Sequence, residues 1–215
     1  MGNTAVAEFE LYCFAESGNA YKAALMLSLC DADWQARFVD YFNGETRTAE
    51  YRREINETGE IPVLAHGEEK FAQSGVILNY LSRRFGRYGA RDDRQELEIL
   101  RWLLFDNHKF TSYSATLRFL LQFTDSGESP VTEFLRTRAT GAFDTVESHL
   151  HGRAFMVGEQ PTIADISMCG YLFWPEQLGV DLGAYPRINA WLERIRQLPG
   201  WRHPYDLMPG ATTTG

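Results

Sequence analysis

The pattern of hydrophobic and polar positions changes character part-way along the chain. Up to about Phe85, short apolar or alternating stretches typical of strands are separated by stretches with helical spacing. The stretch "EFELYCF" (8–14) predicts a strand, Asn19 to Leu29 a helix, and "WQARFVDY" (34–41) a second strand. From Gln95 onward the strand signals stop, and apolar residues recur only at helical spacing.

The first part continues with a charged helix over Thr48 to Ile55 and then with two short strands. These strands lie in "IPVLAHGEEKFA", on either side of a hairpin signal at His66-Gly67, and "SGVILNYLSRRF" follows as a further helix. The order of strand, helix and strand, then helix, then two strands and a helix predicts a small α/β domain with a mixed sheet.

The second part predicts only helices. The leucine and phenylalanine spacing marks one long helix from Gln95 to about Leu120. Another begins in "SPVTEFL", with Ser129 as N-cap and Pro130 at the first helical position, and "TIADISMCGYLFW" and "YPRINAWLERIRQL" give two more. We therefore expect an α/β domain over residues 1–86 and an all-α helical bundle over 92–215.

Charge and composition narrow the class of protein. The 215 residues carry a formal net charge of −8 with no run of lysine or arginine, which argues against a nucleic-acid partner. No stretch approaches the roughly 18 apolar residues of a membrane span or resembles a signal peptide, so we expect a cytoplasmic protein with no membrane role. The three widely spaced cysteines predict reduced, buried thiols and no metal site.

The two ends of the chain carry weaker signals. We discount the loose myristoylation pattern "MGNTAV". We expect the C-terminal tail to pack back to about Met208 and to fray after Gly210.

Two polar residues stand where the first strand turns into the first helix. Ser17 and Asn19 suit helix capping, because their side-chain oxygens accept from backbone N–H groups left unpaired in the first turn. The same N–H groups and the positive end of the helix dipole also suit an anion. The sequence leaves both readings open at this point.

Two further segments point to the same kind of site. In "GEIPVL" a proline lies inside an apolar strand, so it belongs at an edge or in a cis bond; a cis Ile61-Pro62 bond would turn the Ile61 backbone outward to pair with an extended peptide. In "AQSGVIL", Ser74 is a natural helix cap, and its hydroxyl and N–H, with Gln73 beside them, suit a carboxylate. Together these features predict a cleft for a short anionic peptide.

At these residues the sequence resembles the glutathione transferase superfamily over nearly its whole length. The matching pieces are "LYCFAESGNAYKAAL", "GEIPVL", "AQSGVILNYL", "GEQPTIADI" and "YPRINAWLERIRQLPGW", in the family's order and spacing. The resemblance implies a thioredoxin-like N-terminal domain, a helical C-terminal domain, glutathione as co-substrate, a role in detoxification and a homodimer. It also implies that Pro62 is cis.

The resemblance assigns expected roles residue by residue. Ser17 matches the hydroxyl that donates to the glutathione sulfur in serine-type members, with Asn19 as the alternative donor. Ile61, before Pro62, would hold the cysteinyl backbone of glutathione. Gln73 and Ser74 would take its γ-glutamyl end.

This sequence departs from the family pattern at two positions. Gln73 stands where many relatives carry an acid, so Asp106 of the partner subunit is a candidate for the γ-glutamyl amino group. Glu60 stands where many relatives carry Gln, near the expected glycyl carboxylate, which Arg47 or Arg52 would neutralise.

Other polar residues have separate expected roles. Ser17 stands where thiol-disulfide members of the superfamily carry their reactive cysteine. Cys13 lies in the predicted first strand and is expected in the core. Asp165 is expected to stabilise the start of a helix together with Thr162.

The second substrate would lie against the long helix, near His108, Tyr113 and Arg118. The mixture of aromatic and polar side chains there suggests a hydrophobic electrophile with one polar handle. We therefore expect a glutathione transferase acting on such an electrophile or on a peroxide. The alternative is a non-catalytic binding or regulatory protein with the same fold.

Overall fold

A computed structural model describes residues 7–210. The described chain forms two compact units, one holding the residues up to Phe85 and those from Pro199 onward, the other Gly86–Leu198. The discounted myristoylation pattern and the tail expected to fray after Gly210 lie outside the described residues.

The first unit alternates strands and helices as the hydrophobic pattern predicts. In chain order its elements are β1 (Phe9–Cys13), α1 (Gly18–Leu29), β2 (Trp34–Phe38), a 3-10 turn (Glu45–Arg47), α2 (Ala49–Glu54), β3 (Val63–His66), β4 (Glu69–Ala72), α3 (Ser74–Phe85) and, near the C-terminus, α9 (Pro204–Leu207). The predicted hairpin at His66-Gly67 joins β3 to β4.

The four strands form the expected mixed sheet, in the order β2-β1-β3-β4. Strand β1 pairs parallel to β2 and antiparallel to β3, and β3 pairs antiparallel to β4. The register sets Tyr12 opposite Val63 and Val63 opposite Ala72. Consequently the C-terminal ends of β1 and β4 and the N-terminal end of β3 lie at one edge of the sheet.

The C-terminal segment packs back onto the first unit, as expected. The Ala15 amide donates to the Pro209 carbonyl at 2.9 Å, and the Tyr21 hydroxyl donates to the Arg202 carbonyl at 2.9 Å. These bonds tie the segment from Pro199 onward to the first unit, so the second unit ends earlier than the 92–215 domain expected from sequence.

The second unit is helical throughout its regular structure. Its elements are α4 (Asp93–Phe105), a π-helical turn (Asp106–Phe110), α5 (Thr111–Phe123), α6 (Pro130–His149), α7 (Ile163–Met168), 3-10 turns (Pro175–Gln177 and Leu182–Ala184) and α8 (Pro186–Arg196). The predicted Ser129 cap with Pro130 at the first helical position is confirmed.

The predicted long helix is interrupted by the π-helical turn. The Thr111 amide donates to the Asp106 carbonyl, five residues back. The extra residue in this turn also brings the Thr111 hydroxyl to the Asp106 carboxylate, at 2.5 Å. Apolar spacing alone could not show this insertion, because it reports a mean period.

Residues 7–210 contain no candidate for a membrane-spanning helix and none for a metal-binding cluster. None of the helices there is both long enough and apolar enough to span a bilayer. Nor does that part of the chain gather three or more His, Cys, Asp or Glu side chains in an arrangement that could hold a metal ion.

Candidate functional site

Three segments singled out from the sequence meet at one edge of the sheet. The turn containing Ser17 follows the C-terminal end of β1, Pro62 precedes the N-terminal end of β3, and Gln73 follows the C-terminal end of β4. The strand register places these ends side by side. The sheet therefore brings together the polar residues of all three segments.

Ser17 caps α1 as an acceptor and donates its own proton to no described residue. Its Oγ accepts from the Ala20 amide at 3.1 Å, and its carbonyl accepts from the Tyr21 amide at 2.9 Å. Within the described residues, nothing accepts from the Ser17 hydroxyl or from the Gly18 and Asn19 amides. Capping and anion binding are therefore compatible here, since the cap uses Ser17 as an acceptor and leaves three donors at the positive end of the helix.

Asn19 lies in the first turn of α1 and is half-buried. Its Oδ1 is fully buried, and no donor reaches it among the described residues. A buried amide oxygen without a donor is costly and marks a position where a ligand could supply one. An anion cannot supply that donor, so the buried oxygen does not support Asn19 as the donor to a thiolate; only its Nδ2 or backbone amide could take that role, which stays a prediction.

The Ile61-Pro62 peptide bond is cis, as expected. In the part of the chain that the structure covers, neither the amide nor the carbonyl of Ile61 has a hydrogen-bond partner. The preceding carbonyl, of Glu60, accepts from the Tyr51 hydroxyl at 3.2 Å and from Asn56 Nδ2 at 3.0 Å. Two side chains thus fix the approach to Ile61, and its backbone is available to an added strand.

Glu60 and Gln73 contact each other. Gln73 Nε2 donates to Glu60 Oε2 at 2.7 Å, and the Thr58 hydroxyl approaches the same oxygen at 3.3 Å. The sequence suggested opposite ends of a ligand for these two residues, whereas the structure makes them neighbours. Gln73 also has a φ of +68°, which is unusual for a residue other than glycine; Asp31 and Tyr88 share this feature.

Ser74 is the first residue of α3 and not its cap. The helix begins at Ser74, and the Gln73 carbonyl accepts the first helical bond, from the Ile77 amide at 3.0 Å. The expectation that Ser74 caps this helix was therefore wrong by one residue. Its amide lies in the unpaired first turn, which still suits a carboxylate.

The two arginines considered for neutralising a carboxylate differ in their surroundings. Arg52 Nη1 donates to the Glu57 carbonyl at 3.1 Å, and its guanidinium lies against Gly59, where a Cβ would come within 2.6 Å of it. Arg47 is exposed in the 3-10 turn. Both arginines are exposed, but Arg52 supports the loop that carries Glu60, whereas the Arg47 guanidinium has no hydrogen-bond partner among the described residues.

Comparison with known proteins identifies the family of this chain. Residues 7–83 match the family described as glutathione S-transferase, N-terminal domain, and residues 108–199 match the glutathione S-transferase, C-terminal domain. The crystal structure of a possible glutathione S-transferase from Rhodopseudomonas palustris is 31% identical, with a TM-score of 0.86 over 92% of this chain and 98% of that one. The chain belongs to the glutathione S-transferase superfamily.

Two curated relatives show the breadth of the superfamily around this chain. Glutathione S-transferase F14 of Arabidopsis thaliana is 24% identical over 94% of this chain and 87% of its own length. The disulfide-bond oxidoreductase YfcG of Escherichia coli is 26% identical over 88% of this chain and 91% of its own length. The predicted thioredoxin-like domain followed by a helical domain is confirmed by both domain matches.

Asp106 was expected to reach across to a partner subunit and bind the γ-glutamyl amino group of its glutathione, as in a glutathione S-transferase dimer. Its surroundings do not allow this. The residue is 1% exposed. Its two carboxylate oxygens accept from the Thr111 and Ser167 hydroxyls, each at 2.5 Å. Because the carboxylate is enclosed within its own helical unit, that suggestion was wrong.

The three residues expected near a second substrate are placed differently from one another. His108 is exposed in the π-helical turn, and Tyr113 is half-buried in α5. Arg118 is buried, its Nε and Nη2 bind Gln177 Oε1 at 3.0 and 2.6 Å, and its guanidinium lies 4.3 Å from the Trp174 ring. The expectation of Arg118 as a substrate handle is corrected: its charge is engaged within the helical unit.

Cys13 belongs to the core, as expected. Its side chain has no exposed surface, and burial raises the pKa of its thiol to about 12. A thiol with that pKa is protonated at neutral pH and unreactive. Cys30 and Cys169 are likewise buried, and within the described residues neither forms a disulfide.

Sequence reasoning did not identify the residues that support Glu60. Tyr51 is buried in α2, and burial is the main cause that raises the pKa of its hydroxyl, which keeps it a hydrogen-bond donor. Asn56 follows the same helix. Neither residue belongs to a recognisable motif, and only the fold of the 44–60 segment, which includes α2, brings them to the Glu60 carbonyl.

Proposed function

We propose that this protein is a glutathione transferase that activates the thiol of bound glutathione at the start of α1. The observation that carries the proposal is the set of three donors there, the Ser17 hydroxyl and the Gly18 and Asn19 amides, with no acceptor among the described residues. Ser17 donates to the glutathione sulfur and stabilises the thiolate, while the thiol proton passes to solvent.

A hydrogen bond from Ser17 together with the helix dipole is strong enough to lower the pKa of the glutathione thiol. A thiol with a pKa near 8.5 is mostly protonated at pH 7, and lowering that pKa by two units takes about 2.7 kcal/mol. One charge-assisted hydrogen bond contributes roughly 1.5–3 kcal/mol, and the helix terminus about 0.3–1 kcal/mol more. Ser17 needs to donate its proton and does not need to lose it.

The rest of glutathione lies along the same sheet edge in this proposal. Its cysteinyl backbone pairs with Ile61 as an added strand does. Its γ-glutamyl end meets the Ser74 amide, Gln73 and Glu60. Because Glu60 contacts Gln73, its carboxylate supplies the negative charge that Gln73 lacks and pairs with the γ-glutamyl ammonium.

The second substrate is a hydrophobic electrophile or a peroxide, bound near His108 and Tyr113. The thiolate forms a carbon–sulfur bond as the leaving group departs with its bonding electrons, or attacks a peroxide oxygen as the O–O bond breaks. Isomerase and dehalogenase reactions use the same thiolate. Comparing turnover of an aryl halide, a hydroperoxide and a maleyl compound separates these reactions. Detoxification in the cytoplasm is the corresponding role, and three cysteines that form no disulfide within the described residues suit a reducing compartment.

A pH titration of bound glutathione tests the proposal. The ultraviolet absorbance of the thiolate reports the pKa of the glutathione thiol. That pKa is expected to lie at least one unit lower in the complex than in free solution, and Ser17→Ala is expected to abolish the shift. Ser129→Ala is the matched control, because it also removes a serine cap, from α6, and leaves the first unit unchanged. A shift that persists in Ser17→Ala but vanishes in Asn19→Ala would transfer the donor role to Asn19.

The second candidate is a non-catalytic binding or regulatory protein. This chain has Glu60 where many relatives carry Gln, and Gln73 where many carry an acid. The polar contacts with a ligand therefore differ from those of many relatives, which favours the non-catalytic alternative. It predicts glutathione binding with no change in thiol pKa and no turnover of any of the three substrate types. That result would overturn the catalytic proposal.

We also propose a homodimer. Leu97, Leu100 and Leu104 follow helical spacing on one face of α4 and are 66%, 48% and 61% exposed. Such a stripe is costly to leave in water and suits a self-complementary contact. Sedimentation velocity at micromolar concentration should show a dimer that Leu100→Glu dissociates, whereas Val131→Glu, at an exposed position on α6, does not. A monomer in the unmodified protein would reject the dimer.

A further inference from the structure

A basic cleft lies within the helical unit, between the end of α6 and the face of α8. Its volume is about 460 Å³, and three arginines line it: Arg153, Arg187 and Arg194. The small residues Gly152 and Ala190 also line the cleft. We call this feature the arginine cleft.

The backbone explains why the arginines converge. Arg187, Ala190 and Arg194 are spaced by three and four residues, so they lie on one face of α8. The short Ala190 side chain between the two arginines leaves the space open. Arg153 reaches the cleft from the turn after α6, where Gly152 has a φ of +71°.

Each guanidinium is held by a contact through Nη1. Arg153 donates to the His149 carbonyl at 2.8 Å, and Arg194 donates to the Ala154 carbonyl at 3.2 Å. Arg187 Nη1 lies 3.5 Å from Glu147 Oε1. A guanidinium has five N–H donors, so most donors of Arg153 and Arg194 have no partner within the described chain. Anchored side chains lose less conformational freedom when an anion binds.

The charge of the cleft is opposite to that of the chain. Among the described residues, the carboxylate in contact with one of the three arginines is that of Glu147, which pairs with Arg187 and accepts from the Arg187 and Ile188 amides at the start of α8. Glu193, beside Arg194 in sequence, pairs with Arg196 at 3.2 Å. About two positive charges thus remain concentrated in a protein whose formal net charge is −8.

We infer that the arginine cleft binds a compact phosphorylated metabolite carrying two or more negative charges. Guanidinium groups form paired hydrogen bonds with phosphate oxygens, and the volume lies within the roughly 300–1,000 Å³ of small-molecule sites. The described residues that line the cleft include no aromatic side chain that could stack on a nucleobase. The occupant is therefore a diphosphate or phosphorylated sugar, and its binding is independent of the proposed glutathione site.

Isothermal titration of the full chain with pyrophosphate tests this inference at low and at physiological salt. One saturable site is expected, and Arg153→Gln and Arg194→Gln should each weaken binding at least tenfold. The matched control is Arg196→Gln, which removes the same charge from the same helix outside the cleft and should change affinity less than twofold. Circular dichroism verifies that each variant is folded.

Two results would overturn the inference. One is the absence of saturable pyrophosphate binding in the unmodified protein. The other is an equal loss of affinity in Arg196→Gln and Arg194→Gln, which would assign the binding to diffuse charge. Arg194→Lys refines the test: it keeps the charge but loses the planar fork, so paired recognition predicts weaker binding than in the unmodified chain.

Discussion

The substitution Asp165→Ala should destabilise the helical unit strongly. Asp165 has no exposed surface, and four hydrogen bonds converge on its carboxylate. Oδ1 accepts from the Met156 amide at 2.7 Å and from Trp191 Nε1 at 2.9 Å. Oδ2 accepts from the Thr162 amide at 2.8 Å and from the Thr162 hydroxyl at 3.1 Å. These bonds complete the predicted capping box of α7 and tie it to the 152–162 loop and to α8.

The expected cost follows from the donors that would lose their acceptor. Alanine would leave the Met156 and Thr162 amides and Trp191 Nε1 buried and unpaired, at about 1–3 kcal/mol each. Part of this loss is offset because the buried carboxylate itself is poorly solvated, and burial raises the pKa of Asp165. We expect a net loss of about 3–5 kcal/mol in the free energy of unfolding.

Urea unfolding followed by tryptophan fluorescence measures this loss through the shift in midpoint at constant slope. Asp181→Ala is the matched control, because the exposed Asp181 carboxylate caps a short 3-10 turn through one bond, to the Gly183 amide at 2.8 Å. It should cost about 1 kcal/mol or less. A loss below about 1 kcal/mol in Asp165→Ala would refute the assignment of Asp165 as the central support.

Three further predictions follow from single contacts. Glu60→Gln should weaken glutathione binding about tenfold in calorimetry, and adding Gln73→Glu should restore affinity; no restoration would contradict the paired role. Gly200→Ala should lower the thermal midpoint, because φ is +90° and a Cβ would lie 2.6 Å from the Ser28 carbonyl oxygen; an unchanged midpoint would contradict this. Burial lowers the pKa of His149, so the unfolded state binds its proton more readily and stability should fall as pH drops below about 6.5. Urea unfolding from pH 5 to 8 should show that slope, and His149→Gln should remove it.

Local order in this protein could be predicted from the sequence because short-range rules govern it. The alternation in β1, the proline at the start of α6 and the Thr162–Asp165 box each depend on residues a few positions apart. The resemblance to glutathione transferase motifs further predicted the thioredoxin-like fold and the cis Ile61-Pro62 bond. The π-helical turn at Asp106 was not predictable, since a single inserted residue barely alters the apolar spacing.

The sequence by itself determined the order of strands and helices up to Phe85, the helical character of the second unit and the polar residues at the sheet edge. Only the tertiary structure decided which polar groups already have partners. Arg118 is engaged by Gln177, 59 positions away, and Glu60 contacts Gln73 across 13 positions. Among the described residues, by contrast, nothing accepts from the Ser17 hydroxyl, and the Ile61 backbone has no hydrogen-bond partner. Periodicity reports which face of an element is apolar, but the partner of a charge is set by packing between elements, which no local pattern encodes.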